Sequence, residues 1–387
     1  MSHLVKEYAK NLGVKVSKPI VKDHFFPIVA DRYITICNDD DVQAKHYPYY
    51  DVVLELLKPF LQKENIKVIQ LGGKIKINGV DSALNVKYKQ QSFIISKSIL
   101  HLGSDGFLNH TSSAKNVPTI SIFGNTLPEI NKPLFSSNST NVNLAPKWDK
   151  KPCYNVVDPK RQIRNIKAEL VAQSVLDLLK IKQEINFTTL HVGESYNDNL
   201  LEIVPTTLTP VNIQPNQKIM IRADYGLQED VFIQYCKQMK VSVCCDKLIQ
   251  PNGLKQIANN VTDFYLFLDK DWDDIPEKYF SIVKSLGINL IILCENKDDV
   301  PIIRNKYFDI AVRHPFPDRE KPKSFSEKSK FLTQKRIVCD GKEYLSYAHF
   351  KKGLDRSNKV IDTPEYWREL DYFYIYDTDK NSQEESS

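Results

Sequence analysis

No apolar stretch in this 387-residue chain approaches the roughly 18–20 residues that a helix needs to cross a bilayer. That excludes a chain anchored by its own membrane-spanning helix, though not one that touches a membrane surface. The opening MSHLVKEYAK is polar and charged and lacks the apolar core of a secretory leader, so a cytoplasmic location is expected. The cysteines are Cys37, Cys153, Cys236, Cys244, Cys245, Cys294 and Cys339. Their number is odd, and no CxxC pair or metal-ligand spacing occurs. That argues against a disulfide framework or a structural zinc site. Several sit in apolar runs such as VSVCCD and LIILCE, where buried free thiols are expected. No fixed-period repeat is present. Charge of one sign is scarce too: 53 basic against 48 acidic side chains leave +5. Without a clustered basic run, a dedicated nucleic-acid binder is disfavoured. A mildly positive cleft for a diphosphate fits the same balance.

What is present is globular. Hydrophobic residues make up 42% and charged residues 26%, and the length suits two α/β domains plus a tail. Residues 1–28 read as an amphipathic lead-in. From residue 29 strands and helices alternate. RYITIC is a strand, YYDVVLELLKPFLQKE a helix, IKVIQLGG a strand, QQSFIISKS a helix, ILHLGSDG a strand, HTSSAKNV a small-residue helix and TISIFG a strand. Residues 131–160 read as a polar surface excursion, and KAELVAQSVLDLLKI as the helix closing a domain over 29–182. A second α/β rhythm spans 187–315. TTLHVG, KIMIRADYG, KVSVCCD, DFYLFLD and INLIILCEN are its strands. Residues 316–335 read as a charged linker, 336–376 as an aromatic-rich tail unit and 377–387 as disordered. Short-loop alternation of this kind predicts an α/β fold of parallel sheets covered by helices.

The densest chemical signal is HLGSDGFLNHTSSAKNVPTISIFGNTLPE, residues 101–129. One strand ends in Gly103-Ser104-Asp105-Gly106, the next in Gly124-Asn125-Thr126. In open parallel sheets ligands bind at the carboxyl ends of strands, and glycine lets a phosphate or sugar approach the backbone. A helix starting near Asn109-His110-Thr111 offers free N–H groups and its dipole to a diphosphate. Asp105 is placed to accept from a sugar hydroxyl, and His110 to donate to a phosphate oxygen. In the second half Gly193-Glu194 and Arg222-Ala223-Asp224 follow strands. Either Glu194 or Asp224 is a candidate base for an acceptor hydroxyl, and an Arg222–Asp224 salt bridge is the structural alternative. The acidic runs Asp39-Asp40-Asp41 and Asp269 to Asp274 invite a metal reading, with solvated loops as the alternative.

The 101–129 stretch resembles the donor-binding half of heptosyltransferase-like glycosyltransferases, glycosyltransferase family nine. The family's D-S-G-x-x-H-like turn, small-residue helix, Pro-led strand and F-G-x-T-x-P follow in order. Asp105, Gly106, His110, Pro118, Phe123, Gly124, Thr126 and Pro128 match, with one extra residue before the histidine. Upstream, ICNDDDVQAKHYPYYDVVLELL is similar to the family's strand, D-K-x-W-P-like loop and helix. Lys45 falls on the lysine that faces the donor diphosphate, with Tyr47 for the usual tryptophan. Gly72 and Gly73 fall on its Gly-Gly turn, although KIKINGVD follows where the family has an acid.

The resemblance covers about residues 32–182. It implies two Rossmann-like domains of GT-B type. Because the second α/β unit follows the donor half instead of preceding it, the order is expected to be permuted or the acceptor half lost. It also implies a glycosyltransferase using a nucleotide-diphosphate sugar as donor substrate, with no other cofactor. No metal is expected; lysine and helix dipole would neutralise the leaving group. A glycan or lipid-linked acceptor is the family's usual target, peripheral membrane contact is compatible with it, and a modified nucleic-acid base is an alternative. The expected site comprises Lys45, Asp105 and Asp224 as catalytic groups. Gly72, Gly73, Gly103, Ser104, Gly106, His110, Thr111, Gly124, Asn125 and Thr126 would hold the donor. The rival reading is a binding or assembly module without turnover.

Overall fold

The computed structural model describes residues 2–38, 41–73, 76–135, 140–148, 150–193, 196, 200–213, 217–268, 277–315, 329–357, 359–361 and 363, and the backbone of 372–376. The chain divides into two compact units, one built on Met1–Phe187 and the other on Thr188–Tyr376.

In the first unit, helix α1 (Leu4–Asn11) is followed by β1 (Tyr33–Cys37), α2 (Tyr50–Lys63), β2 (Lys67–Leu71), β3 (Ser82–Leu84), α3 (Tyr88–Lys97), β4 (Leu100–Ser104), α4 (Phe107–Ala114), β5 (Thr119–Ile122), α5 (Pro128–Asn131), β6 (Asn141–Leu144) and α6 (Ala168–Leu179). The six strands are parallel, in the order β3-β2-β1-β4-β5-β6. Strands are added outward from β1 on one side, then the chain returns to place β4 on its other side. The crossovers on either side leave a crevice at the carboxyl ends of β1 and β4. Both faces are covered, so the polar residues that alternate with the apolar ones, Thr35, His101, Thr119 and Ser121, are buried as well. Ile34, Ile36, Leu100, Leu102, Ile120 and Ile122 are fully buried on one face. On the other, Tyr33, Ile69 and Leu71 pack with Ile94 and Ile95 of α3.

Two expectations fail here. The surface excursion 131–160 contains β6, which extends the sheet beside β5 from Thr119↔Asn141 to Ile122↔Leu144. Its sequence NVNL alternates polar and apolar residues over four positions only, the shortest span at which alternation signals a strand, and it sits in a run of Asn, Ser and Pro. Helix α4 begins three residues before the predicted start, with Gly106 at its N-cap. The side chain of Asn109 is turned inward and buried.

The second unit contains β7 (Phe187–Val192), β8 (Leu200–Ile203), β9 (Lys218–Arg222), α7 (Glu229–Gln238), β10 (Val241–Cys245), α8 (Pro251–Ile257), β11 (Val261–Leu268), α9 (Glu277–Ser285), β12 (Asn289–Cys294), α10 (Asp299–Lys306), β13 (Ala311–Arg313), β14 (Ser329–Leu332), β15 (Arg336–Cys339), β16 (Lys342–Tyr344), α11 (Tyr347–Lys352) and β17 (Tyr372–Tyr376). The large sheet has the order β13-β12-β11-β10-β9-β8-β15-β16. From β8 to β13 the strands add in chain order, all parallel. This order differs from that of the first unit. The core gathers Ile221, Val243, Phe264, Leu266 and Ile292 with Phe232, Leu254, Phe280 and Ile303 of the helices.

The strand expected at TTLHVG, residues 188–193, is β7 (Phe187–Val192), one residue earlier. It joins a separate three-stranded sheet, β14-β17-β7. The predicted linker holds β14. The predicted tail unit supplies β15, which lies parallel to β8 from Arg336↔Leu201 to Val338↔Ile203, so residues 336–344 complete the large sheet. The run RIVC is apolar enough for a buried strand, but no local pattern names its partner. The β15–β16 hairpin turns at Asp340-Gly341, with φ of 51° and 76°, the conformation an Asp-Gly pair adopts readily. Of the tail aromatics, residues 366–371 lie outside the described residues.

Candidate functional site

Lys45 is positioned by a short 3-10 turn, Gln43–Lys45, that follows β1. The polar segment downstream clamps this turn. Ala44 N donates to Val156 O at 2.9 Å, and Asp158 N donates to Gln43 Oε1 at 2.8 Å. Tyr47 is fully buried and donates through its hydroxyl to Ile166 O at 2.9 Å. Asn38, just past β1, accepts from Tyr47 N at 3.1 Å and from Ser104 Oγ at 3.2 Å. Its amide lies 3.1 Å from Nδ1 of His46, which is half-buried.

The turn delivers the Lys45 ammonium to 3.3 Å from Asp105 Oδ2. Asp105 follows β4 and is buried. Thr126 Oγ1 donates to it at 3.1 Å, and Asn131 Nδ2 reaches both its oxygens at 3.0 and 2.8 Å. His110 completes the group on the electrostatic side. Burial lowers its pKa, the Asp105 carboxylate opposes that, and His3 and Lys45 add to the lowering. The structure therefore brings together Lys45, Asp105, His110 and Thr126, and adds Asn131, which no sequence pattern marked.

The glycines of the two loops divide by cause. A Cβ on Gly124 would lie 1.9 Å from Ala44 O, so its absence admits the lysine-bearing turn. A Cβ on Gly103 would meet Asn109 Oδ1 at 2.5 Å. These two were expected to admit a ligand, and protein atoms take the space instead. Gly72 and Gly73 have φ of 65° and 82°, which glycine adopts without strain.

Beside this cluster lies a cleft of about 420 Å³. Cys37 at the end of β1, Asn38 and Asp41 after it, Gly73 after β2, Asn85 after β3, Gln91 of α3, Ser104 at the end of β4 and Gly106–Asn109 leading into α4 line it. It sits at the reversal of strand order. Phe107 and Leu108 head α4, where backbone N–H groups have no intrahelical acceptor and the helix dipole is positive. Asn109 N is used on Gly106 O at 3.2 Å. The earlier placement of free donors at 109–111 is thus corrected. Thr111 Oγ1 donates to Phe107 O at 3.0 Å and is buried. Asn125 is buried with Nδ2 donating to Asn155 O at 2.9 Å.

No family model matches the sequence, and no curated protein matches it. Among solved structures the chain is similar to a glycosyl transferase family 9 protein from Veillonella parvula, with 13% identity, 45% of this chain and 50% of that one covered, and a TM-score of 0.33. It is also similar to E. coli heptosyltransferase WaaC with ADP, with 17% identity, 45% and 54% covered, and a TM-score of 0.31. A third is the iron-containing dodecameric glycosyltransferase TibC from enterotoxigenic E. coli, with 14% identity, 44% and 51% covered, and a TM-score of 0.34. The similar stretch spans about half the length of each of these proteins.

Below the cleft a buried polar chain ties β1, β4 and α4 together. Thr35 Oγ1 lies 3.0 Å from Nδ1 of His101, and His101 Nε2 lies 3.1 Å from Asn109 Oδ1. Asn109 Nδ2 donates to Gly103 O at 3.1 Å. Burial lowers the His101 pKa to about 4, against the Asn109 hydrogen bond, so the ring is neutral at ordinary pH.

Asp224, in the second unit, is engaged. Arg222 donates to both its oxygens, Nε at 2.8 Å and Nη2 at 2.6 Å, and Nη1 reaches Glu202 Oε1 at 2.9 Å. Arg222 lies 3.5 Å from the Tyr225 ring centroid. Glu194 lies outside the described residues, as do Asp39, Asp40 and Asp269 to Asp274.

Proposed function

We propose that the first unit binds a nucleoside-diphosphate sugar in the crevice between β1 and β4, and that the protein transfers the sugar to a hydroxyl acceptor. The observation that carries this is Lys45, held by its own turn against Asp105, next to the head of α4. A cation and bare helix N–H groups meet where the strand order reverses. That is the equipment a diphosphate needs on binding and on leaving. In the reaction the anomeric C–O bond to the diphosphate breaks and the diphosphate keeps the electron pair. The acceptor oxygen bonds the anomeric carbon, and its proton passes to solvent. Lys45 and the α4 N-terminus stabilise the departing charge, with no metal assigned to the step. Asp105 holds Lys45 in place, and His110 faces the same group. The amides of Asn85 and Gln91 and the exposed ring of Phe107 offer hydrogen bonds and a stacking surface to the nucleoside. Asp224, with both oxygens on Arg222, receives no proton-transfer role.

On this reading the two α/β units form a GT-B-like pair in permuted order, the second serving the acceptor. A glycan or lipid-linked hydroxyl is the acceptor class. The binding-module reading has one observation behind it: Lys45 already has a carboxylate partner. A thermal-shift screen of the full chain against nucleoside diphosphates and their sugars tests the site. One compound should raise the melting temperature, a stabilisation of about 2.7 kcal/mol at a hundredfold excess over Kd, and Lys45→Ala should remove the shift. If no compound shifts the protein, or Lys45→Ala leaves the shift intact, the assignment fails. Binding without donor turnover selects the module.

A further inference from the structure

Helix α1 turns its apolar side away from the protein. At about 100° per residue, Leu4, Tyr8, Leu12 and Val5 share one arc, with Ala9 at its edge and Lys6 and Lys10 beyond. A helix on a soluble domain buries such an arc. Here Leu4 and Val5 are each 41% exposed, Tyr8 60% and Leu12 74%, while only Ala9 and the N-cap His3 are buried. The helix is nonetheless fixed in place. His3 Nδ1 accepts from Val5 N at 3.2 Å and caps it, and His3 Nε2 lies 2.7 Å from Lys132 O. The apolar arc faces outward on a pinned element.

The charge around it is one-sided. Residues 1–22 carry Lys6, Lys10, Lys15, Lys18 and Lys22 against Glu7, a net +4, when the whole chain carries +5. Almost the entire surplus of the protein lies in the segment that exposes the apolar arc. Val14 and Ile20, 57% and 93% exposed, continue the apolar surface between those lysines.

We infer that α1 and the segment after it dock on an anionic lipid surface, the helix lying in the plane of the interface with Leu4, Val5, Tyr8 and Leu12 inserted and the lysines on headgroup charges. An apolar arc on a helix whose polar face carries Lys6 and Lys10 fits the layered chemistry of that surface, hydrocarbon below and negative charge above. A second copy fits less well, because two-fold pairing would bring together two copies of a segment that each carry a net +4. The inference does not depend on the donor site.

Flotation of the full chain with vesicles tests it, using phosphatidylcholine alone and phosphatidylcholine mixed with phosphatidylglycerol. The protein should float with the anionic vesicles at least tenfold more than with the neutral ones, and lose the difference in high salt. Each lysine near such a surface counts for about fivefold, so Lys6→Glu with Lys10→Glu should lower partitioning by more than tenfold. Leu4→Ser with Tyr8→Ser and Leu12→Ser should abolish it. These positions are exposed, so the circular dichroism and melting temperature of both variants should match the parent. Equal flotation with both vesicle types, no flotation, or flotation untouched by the variants would overturn the inference. A dimer in ultracentrifugation that the serine variant dissolves would assign the face to a second copy instead.

Discussion

The Lys45 ammonium stands 3.3 Å from Asp105 Oδ2, and the turn that carries it rests on a glycine two strands away. Ala44 O occupies the place where a Gly124 side chain would be, 1.9 Å from the ideal Cβ. Gly124→Ala must therefore displace backbone, and an overpacking cost of about 1–3 kcal/mol is expected, together with weaker nucleotide binding as Lys45 shifts. Gly106→Ala is the contrast. Its nearest atom would be Ser104 O at 3.5 Å and its backbone is extended, so stability should change by less than about 0.5 kcal/mol. Urea unfolding of both variants decides. Equal cost would sink this account of the turn.

Asp105 anchors three donors, Lys45, Thr126 and Asn131. Asp105→Asn keeps the shape but sets one amide N–H group against another at Asn131. A loss of about 2–3 kcal/mol is expected for leaving such buried groups mismatched. In a double-mutant cycle with Lys45→Met, the pair should show a coupling of about 0.5–1 kcal/mol, because Lys45 is partly solvated. A coupling indistinguishable from zero would mean that the ion pair does not hold Lys45.

The alternation of strands and helices was readable because β1, β2, β4 and β5 are short runs with apolar residues at every second position or denser, and α2 and α6 carry their apolar residues at helical spacing. Lys45, Asp105 and Thr126 were readable as neighbours because each follows a strand, and strand ends converge in a parallel sheet. Other features had no such mark. β6 is only four residues at a sheet edge, set in a polar segment, and β15 takes its partner β8 from more than a hundred residues away, a pairing that periodicity does not encode. Asn131 and Asn38 act through side-chain hydrogen bonds fixed only by tertiary structure. The glycines at 103 and 124 were recognised as special for the wrong cause. A glycine that admits a ligand and one that admits a carbonyl oxygen look alike in sequence.

His101 predicts a pH dependence. Its ring titrates near 6.5 when unfolded and near 4 when buried in the fold. Between those values the unfolded chain binds a proton that the folded chain refuses, so stability falls as pH falls. The contribution is complete above about pH 6.5 and should have lost about 2 kcal/mol by about pH 5. Burial lowers the pKa of His110 and His349 too, so the comparison must be by difference. The unfolding free energy of His101→Gln should depend less steeply on pH than that of the parent. Parallel curves would exclude His101 as the source.

In the second unit Arg222 stands between two carboxylates, Glu202 at 2.9 Å and Asp224 at 2.6 Å, all three largely buried. Arg222→Met takes the cation from Asp224 and leaves Glu202 with Lys335 alone, 3.4 Å from its Oε2, and about 3–5 kcal/mol of stability should be lost. Arg222→Lys should recover little, since one ammonium cannot bond both oxygens of Asp224, reach Glu202 and stack on Tyr225 as the planar guanidinium does. Thermal unfolding of the two variants checks this. A lysine variant as stable as the parent would show that charge alone, without the fork geometry, holds the cluster.

The cleft offers its own reporter. Cys37 lines it and is half-buried. Of the other thiols only Cys153 shares that exposure, while Cys236, Cys244, Cys245, Cys294 and Cys339 are buried. Burial also pushes the buried thiols away from thiolate, Cys236 to about 12 and Cys294 to about 11, which suppresses their reactivity further. In a Cys153→Ser background, brief alkylation of the native protein should therefore modify Cys37 first, as peptide mapping would show. A nucleotide that stabilises the protein should slow that modification when it occupies the crevice between β1 and β4. Lys45→Ala should remove the protection along with the binding. Protection would then tie the nucleotide to the strand ends themselves. Stabilisation by a nucleotide with Cys37 alkylated at its original rate would instead move the ligand out of the crevice, and the role assigned to Lys45 would go with it.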